Sequence, residues 1–151
     1  MLRGRFGDTT GRPYLEGRLL LPTQGVQLDI SFLVDTGADK SMLMPGDGLR
    51  STLDYGKLTG NEWVGGISGA MSVFTEQAAI VFTEPGKKLY MYMLNIHIAP
   101  ASPETMDCSS LLGRDILDNW EMLYRPTTGQ LLFDVKMADM TLPISKKGTT
   151  D

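Results

Sequence analysis

The sequence predicts a single all-β domain. Seventeen glycines and eight prolines are spread along 151 residues, punctuating short runs rich in Val, Ile, Leu, Phe, Tyr and Met. One run alternates polar and apolar residues with the period of a half-buried strand. Only one short segment has helical character. A chain of this length holds one hydrophobic core, so residues 1–151 read as one domain.

The elements follow in order. Residues 1–8 have little to bury and are expected to be mobile, as are 145–151. Tyr14 to Leu21 is the first strand, closed by Pro22, and Thr23-Gln24-Gly25 reads as a turn. Val26 to Val34 is the second: Gln27, Asp29 and Ser31 alternate with Leu28, Ile30 and Phe32, which predicts one buried face. Ser72 to Phe82 and Lys88 to Ile98 pair through the turn Thr83-Glu84-Pro85-Gly86. Arg114 to Asn119 is the short helix, preceded by Gly113, with Leu112, Ile116 and Leu117 as its apolar face. A hairpin from about Trp120 to Val135 turns around Arg125-Pro126-Thr127-Thr128-Gly129.

Composition excludes much. Apolar residues make up 42% and charged residues 21%, the balance of a folded chain. Fourteen Lys and Arg against eighteen Asp and Glu give a net charge of −4, which repels a phosphate backbone, so no nucleic-acid partner is expected. With one cysteine, Cys108, and one histidine, His97, there is no internal disulfide framework and no zinc site built mainly from those ligands. No metal or cofactor is expected. A Ser-His-Asp or Cys-His enzyme is excluded unless one of those two residues serves it. His97 reads as a satisfied or exposed strand histidine and Cys108 as a buried thiol. No run of about 18 apolar residues exists, so no membrane partner is expected. After Arg3 and Arg5 come Gly, Asp and Thr where a signal core would lie, which points to a cytoplasmic protein. Carboxylate chemistry is what remains.

Phe32-Leu33-Val34-Asp35-Thr36-Gly37-Ala38-Asp39 ends an apolar strand in a carboxylate, a hydroxyl and a glycine. A charge directly after large apolar residues is costly unless partnered or protonated. Taken alone, the segment also fits an ordinary Asx turn. Val64-Gly65-Gly66-Ile67-Ser68-Gly69 suits the tip of a mobile hairpin, and a plain glycine-rich loop is the alternative. Ser110-Leu111-Leu112-Gly113-Arg114-Asp115-Ile116-Leu117 taken singly is a strand-to-helix turn.

In this order and at these separations the three segments resemble a retropepsin, the single-domain aspartic protease of retroviruses and of related cellular and prokaryotic proteins. The first matches that family's catalytic strand and loop, the second its flap tip, and the third its apolar-apolar-Gly-Arg turn before a single helix. Arg12-Pro13-Tyr14 is similar to the start of the family's first long strand, so the resemblance runs over about residues 12–124. The added hairpin from Trp120 to Val135 looks more like the cellular and prokaryotic branch, and makes the dimer interface the least transferable feature.

The resemblance implies a closed β-barrel with a flap hairpin and one short C-terminal helix, acting as a homodimer on a peptide or protein substrate. Such sites need two carboxylates sharing one proton, one the base for a water and the other the acid for the scissile carbonyl. The chain has one Asp-Thr-Gly; Asp8-Thr9-Thr10-Gly11 lacks the apolar strand before it and has Thr in place of Gly. The second Asp35 must then come from a second copy. Asp35, Thr36 and Gly37 are implied as catalytic, with Thr36 bonding across the two-fold axis and Gly37 letting backbone approach the carboxylate. Ala38, Asp39, Gly65, Gly66, Ile67, Ser68 and Gly69 are implied to bind substrate. Arg114 is implied to brace the loop by pairing with Asp39. Ile67, Val34 and Met44 are candidate pocket walls. Ala38 replaces the Ser usual in pepsin-like lobes, so activity is expected to extend toward mildly acidic or near-neutral pH. The competing reading is a non-proteolytic retropepsin-fold dimerisation or peptide-binding module.

Overall fold

The alternation in the second strand becomes one inward face. On β4 (Val26–Val34), Val26, Leu28, Ile30, Phe32 and Val34 are buried while Gln27 and Asp29 are exposed. The computed structural model describes residues 1–66 and 69–144, so Ile67, Ser68 and the tail 145–151 lie outside the described residues.

β4 pairs antiparallel with β3 (Pro13–Leu21), from Tyr14↔Leu33 to Leu21↔Val26. β3 pairs on its other edge with the long strand β7 (Gly69–Glu84). β7 forms a hairpin with β8 (Lys88–Ile98) from Phe74↔Ile98 to Glu84↔Lys88. β8 continues through β5 (Met42–Leu43) and β9 (Leu111–Leu112) back to β4. The strands β3, β4, β9, β5, β8 and β7 thus close a six-strand barrel, as the resemblance implies. Leu19, Ile30, Phe32, Ile80, Phe82, Ile96, Ile98 and Leu112 fill it. β6 (Gly60–Gly66) extends from the barrel and, among the described residues, pairs with β7 alone, from Gly60↔Thr75 to Gly66↔Gly69.

A second sheet of three strands has the order β1 (Leu2–Arg3), β11 (Gln130–Val135), β10 (Trp120–Arg125). It packs on the barrel through Trp120 and Phe133, whose rings meet each other, and through edge-on contacts of Trp120 with Phe82 and Tyr92. The Trp120 indole N–H donates to the Tyr92 hydroxyl at 2.7 Å, and that hydroxyl donates to the Met137 carbonyl at 2.7 Å, so the polar tips of this aromatic cluster are satisfied.

The structure corrects several expectations. Residues 1–8 do bury surface: Leu2 is 1% exposed, β1 pairs with β11, and β2 (Arg5–Phe6) pairs with β3. One well-placed Leu and ladder hydrogen bonds suffice where composition shows little apolar content. The helix is shorter than the apolar pattern, α2 being Arg114–Leu117 with Asp118 as its cap. A second single turn, α1 (Pro45–Gly48), starts at a proline whose missing N–H costs nothing at that position. β12 (Met140–Pro143) adds to the outer edge of β8.

Candidate active site

Asp35 sits where β4 is held on both sides. Leu33 and Val34 run parallel to Leu111 and Leu112 of β9, the Leu33 N–H donating to Ser110 O at 2.8 Å and the Asp35 N–H to Leu112 O at 3.0 Å. The chain then turns: the Ala38 N–H donates to Asp35 O at 3.2 Å and the Gly37 N–H to Asp35 Oδ1 at 2.9 Å. The Asx turn is therefore present, and it orients the carboxylate. Among the described residues Oδ2 has no hydrogen-bond partner. A Cβ at position 37 would stand 3.2 Å from Asp35 Oδ1, so a glycine keeps this turn tight.

The far end of the loop is locked to α2. Arg114 N–H donates to Ala38 O at 2.8 Å and Asp115 N–H to Asp39 O at 3.2 Å. Asp115 accepts from the Ser41 N–H at 2.9 Å and the Ser41 hydroxyl at 2.7 Å, and Ser41 Oγ accepts from the buried Gly113 N–H at 3.0 Å. A Cβ on Gly113 would lie 2.6 Å from the Lys40 carbonyl carbon and 2.9 Å from Ala38 O, so the backbones approach too closely for any side chain. The Arg114 guanidinium bonds the Asp39 carboxylate, and that hydrogen bond, then charge attraction, raises the arginine's pKa. Both side chains are largely exposed, so the pair orients more than it stabilises.

Asp35, Gly37, Ala38 and Asp39 open onto a groove of about 550 Å³. Met42, Leu111 and His97 complete its inner wall, Lys40 its rim, and Trp63, Val64 and Gly65 of β6 its roof. Of the hairpin residues named from sequence, Gly65 lines the groove and Gly66 and Gly69 pair with each other beyond it, while Ile67 and Ser68 lie outside the described residues. Thr36 faces elsewhere. With Pro13, Val34, Met122 and Tyr124 it lines a separate apolar cavity of about 400 Å³ on the other side of the Asp35 loop.

Three further expectations are corrected. Val34 belongs to that second cavity, and Met44 is buried with Met42, Val73 and Ala99, so neither walls the groove. Cys108 is exposed rather than buried. His97 is neither exposed nor fully satisfied: it is buried, with Nε2 2.6 Å from Glu62 Oε2 and Nδ1 buried without a partner among the described residues. Sequence reasoning missed Lys40, Met42, Trp63, Val64, His97 and Leu111 as groove residues. For Met42 and Leu111 the available signal was their place beside the Asp35 loop and in the apolar-apolar-Gly-Arg turn.

The arrangement offers one oriented carboxylate with a free oxygen, in a groove with apolar walls, under one arm of a β-hairpin. A sequence model described as retroviral aspartyl protease matches residues 12–124. Among curated proteins none matches the chain by sequence. Solved structures share the fold, two of them as follows. A retropepsin-like aspartic protease from Rickettsia conorii is 16% identical, with a TM-score of 0.60 over 95% of this chain and 92% of its own. The EIAV protease in complex with an inhibitor is 21% identical, with a TM-score of 0.50 over 74% of this chain and 90% of its own. With the match covering most of its length, this chain belongs to the retroviral aspartyl protease family.

Proposed function

We propose that the chain is an aspartic endopeptidase whose active site forms between two copies, with Asp35 of each sharing one proton. The observation that carries this is the state of Asp35: oriented through Oδ1 by Gly37, with Oδ2 free in a peptide-sized groove. One carboxylate cannot serve as acid and base at once, and Asp39, in the same groove, is engaged by Arg114. Two like carboxylates about a hydrogen bond apart do not both ionise readily, so one stays protonated. The ionised one takes a proton from a water held between them, and that water attacks the scissile carbonyl as the other Asp35 protonates its oxygen. The Asp35 that took the water proton then gives it to the amide nitrogen, and the C–N bond breaks to release the amine. One hydroxyl of the diol returns its proton to the other Asp35, which restores the singly protonated dyad.

The surface beside Asp35 suits a second copy. Among the described residues β10 ends its sheet with one edge unpaired. From it Met122 and Tyr124, 39% and 50% exposed, line the apolar cavity that also holds Thr36. A two-fold axis near Thr36 would cover this cavity with its own mate and bring the two Asp35 loops together. The substrate enters as an extended strand, its main chain bonding the hairpin and loop and its side chains filling the groove.

Asp35→Asn tests the reading. Loss of peptide cleavage with the same sedimentation behaviour supports a protease, since Asn keeps the turn and removes the acid-base group. Cleavage at the wild-type rate removes Asp35 from the mechanism. A wild-type protein that dimerises and binds peptides but cleaves none returns the chain to a binding module.

A further inference from the structure

We propose that His97 is a positioning residue for peptide cleavage: through Glu62 it fixes the arm of the hairpin that roofs the groove. This rests on reading the Asp35 site as a protease site. His97 stands in the barrel wall, its strand β8 pairing with Met42 of β5 on one side and Thr75 of β7 on the other. Glu62 stands outside the barrel on β6, opposite Val73 of β7. The 2.6 Å contact between them crosses β7 and ties arm to wall.

Two observations separate this tie from an incidental surface pair. First, among the described residues β6 has β7 as its only strand neighbour, and Glu62 makes the one side-chain hydrogen bond or ion pair that anchors β6. The residues that follow it, Trp63, Val64 and Gly65, are the roof over Asp35. Second, the His97 side chain is only 9% exposed, and among the described residues its Nδ1 has no partner. A half-satisfied imidazole is a poor choice for plain packing, because a buried polar atom without a partner is destabilising and an aliphatic side chain would carry no such atom. Among the described residues the one polar contact of this side chain is with Glu62. A carboxylate oxygen only accepts, so Nε2 is the donor in this contact. The other charged groups facing the groove are Asp35, Asp39 and Lys40, all on the loop before β5, and Asp39 is held by Arg114.

The test is kinetic and structural together. Glu62→Ala and His97→Ala are each expected to raise KM for a peptide substrate about fivefold, with kcat within about twofold, and the double variant is expected to be no worse than the poorer single. Glu62→Gln keeps an oxygen that accepts from Nε2 and is expected to return KM to within about twofold of wild type. Penalties that multiply in the double variant, a fall in kcat at unchanged KM, or Glu62→Gln behaving like Glu62→Ala would each overturn the proposal. Amide hydrogen exchange supplies a readout without catalysis: in Glu62→Ala, which lies on the surface, amides 60–66 exchange faster while those of β3 and β4 do not change. Absence of cleavage by the wild type would refute the protease reading, and the exchange result would still decide the tie, faster exchange keeping it and equal exchange removing it.

Discussion

Replacing Ser41 with Ala tests how the Asp35 loop is held. Ser41 is fully buried, and its hydroxyl both donates to Asp115 Oδ1 at 2.7 Å and accepts from the Gly113 N–H at 3.0 Å. Without it the Gly113 N–H is buried with no acceptor, which costs about 2 kcal/mol. The lost bond to a half-buried carboxylate adds about 1 kcal/mol, because Asp115 keeps the Ser41 N–H at 2.9 Å and gains water on its open side. The sum is about 3 kcal/mol, or about 9 °C in Tm at roughly 3 °C per kcal/mol for a domain of this size. Asp115→Asn is expected to cost only about 1 kcal/mol, since its amide oxygen accepts from the Ser41 N–H and its amide nitrogen donates to Oγ. Urea unfolding at one fixed protein concentration measures both, the slope unchanged and the midpoint lowered. Below the unfolding midpoint, Ser41→Ala also lowers kcat, because Gly113 and α2 hold the loop that carries Asp35. A Ser41→Ala protein within about 0.5 kcal/mol of wild type would refute the reasoning.

Gly113→Ala places a methyl against the backbone of Lys40 and Ala38, and is expected to abolish cleavage and to lower the unfolding midpoint by more than Ser41→Ala does. A soluble, active Gly113→Ala protein would show that the loop has room that the backbone contacts deny. Burial first, and then the hydrogen bond to Glu84 at 2.9 Å, push the Tyr90 phenol up to about 12. A folded pKa above the unfolded one gives stability that is present below about pH 10 and lost as pH rises through about 12. Tyr90→Phe is therefore expected to flatten the stability curve over that alkaline window, and an unchanged slope would contradict the assignment. Met122→Lys puts a charge into the apolar cavity beside Thr36, and is expected to raise the protein concentration at which specific activity is half-maximal by about tenfold or more. Specific activity that stays constant on dilution for both proteins would place the interface elsewhere.

Much of the barrel was legible because its strands carry their own pattern. Leu28, Ile30 and Phe32 alternate with polar residues and so face one way, and the pairs around Gly86 and Gly129 announce their turns. The Asp35 loop and the Gly113 turn were legible as motifs, and the structure brings them together through bonds that motifs do not state, such as Arg114 N–H to Ala38 O. β1 and β2 were not legible, because one buried Leu2 among polar residues carries no period and its strand exists by pairing with β11, far along the chain. β12 is hidden for the same reason: all its side chains are exposed, and the ladder with β8 makes it a strand. From the sequence His97 reads as a satisfied or exposed strand histidine. Its place in the groove depends on the parallel pairing with Met42 and on a carboxylate across β7, contacts between segments that no local window contains.

The account stands on two Asp35 carboxylates from two chains making one site, and mixing tests this directly. Wild-type and Asp35→Asn proteins are unfolded together in varied ratios at constant total protein, refolded, and assayed for peptide cleavage. Activity following the square of the wild-type fraction, about a quarter at an equal mixture, is the predicted result. Activity falling in simple proportion to the wild-type fraction would mean that each chain works alone, and would contradict the shared dyad.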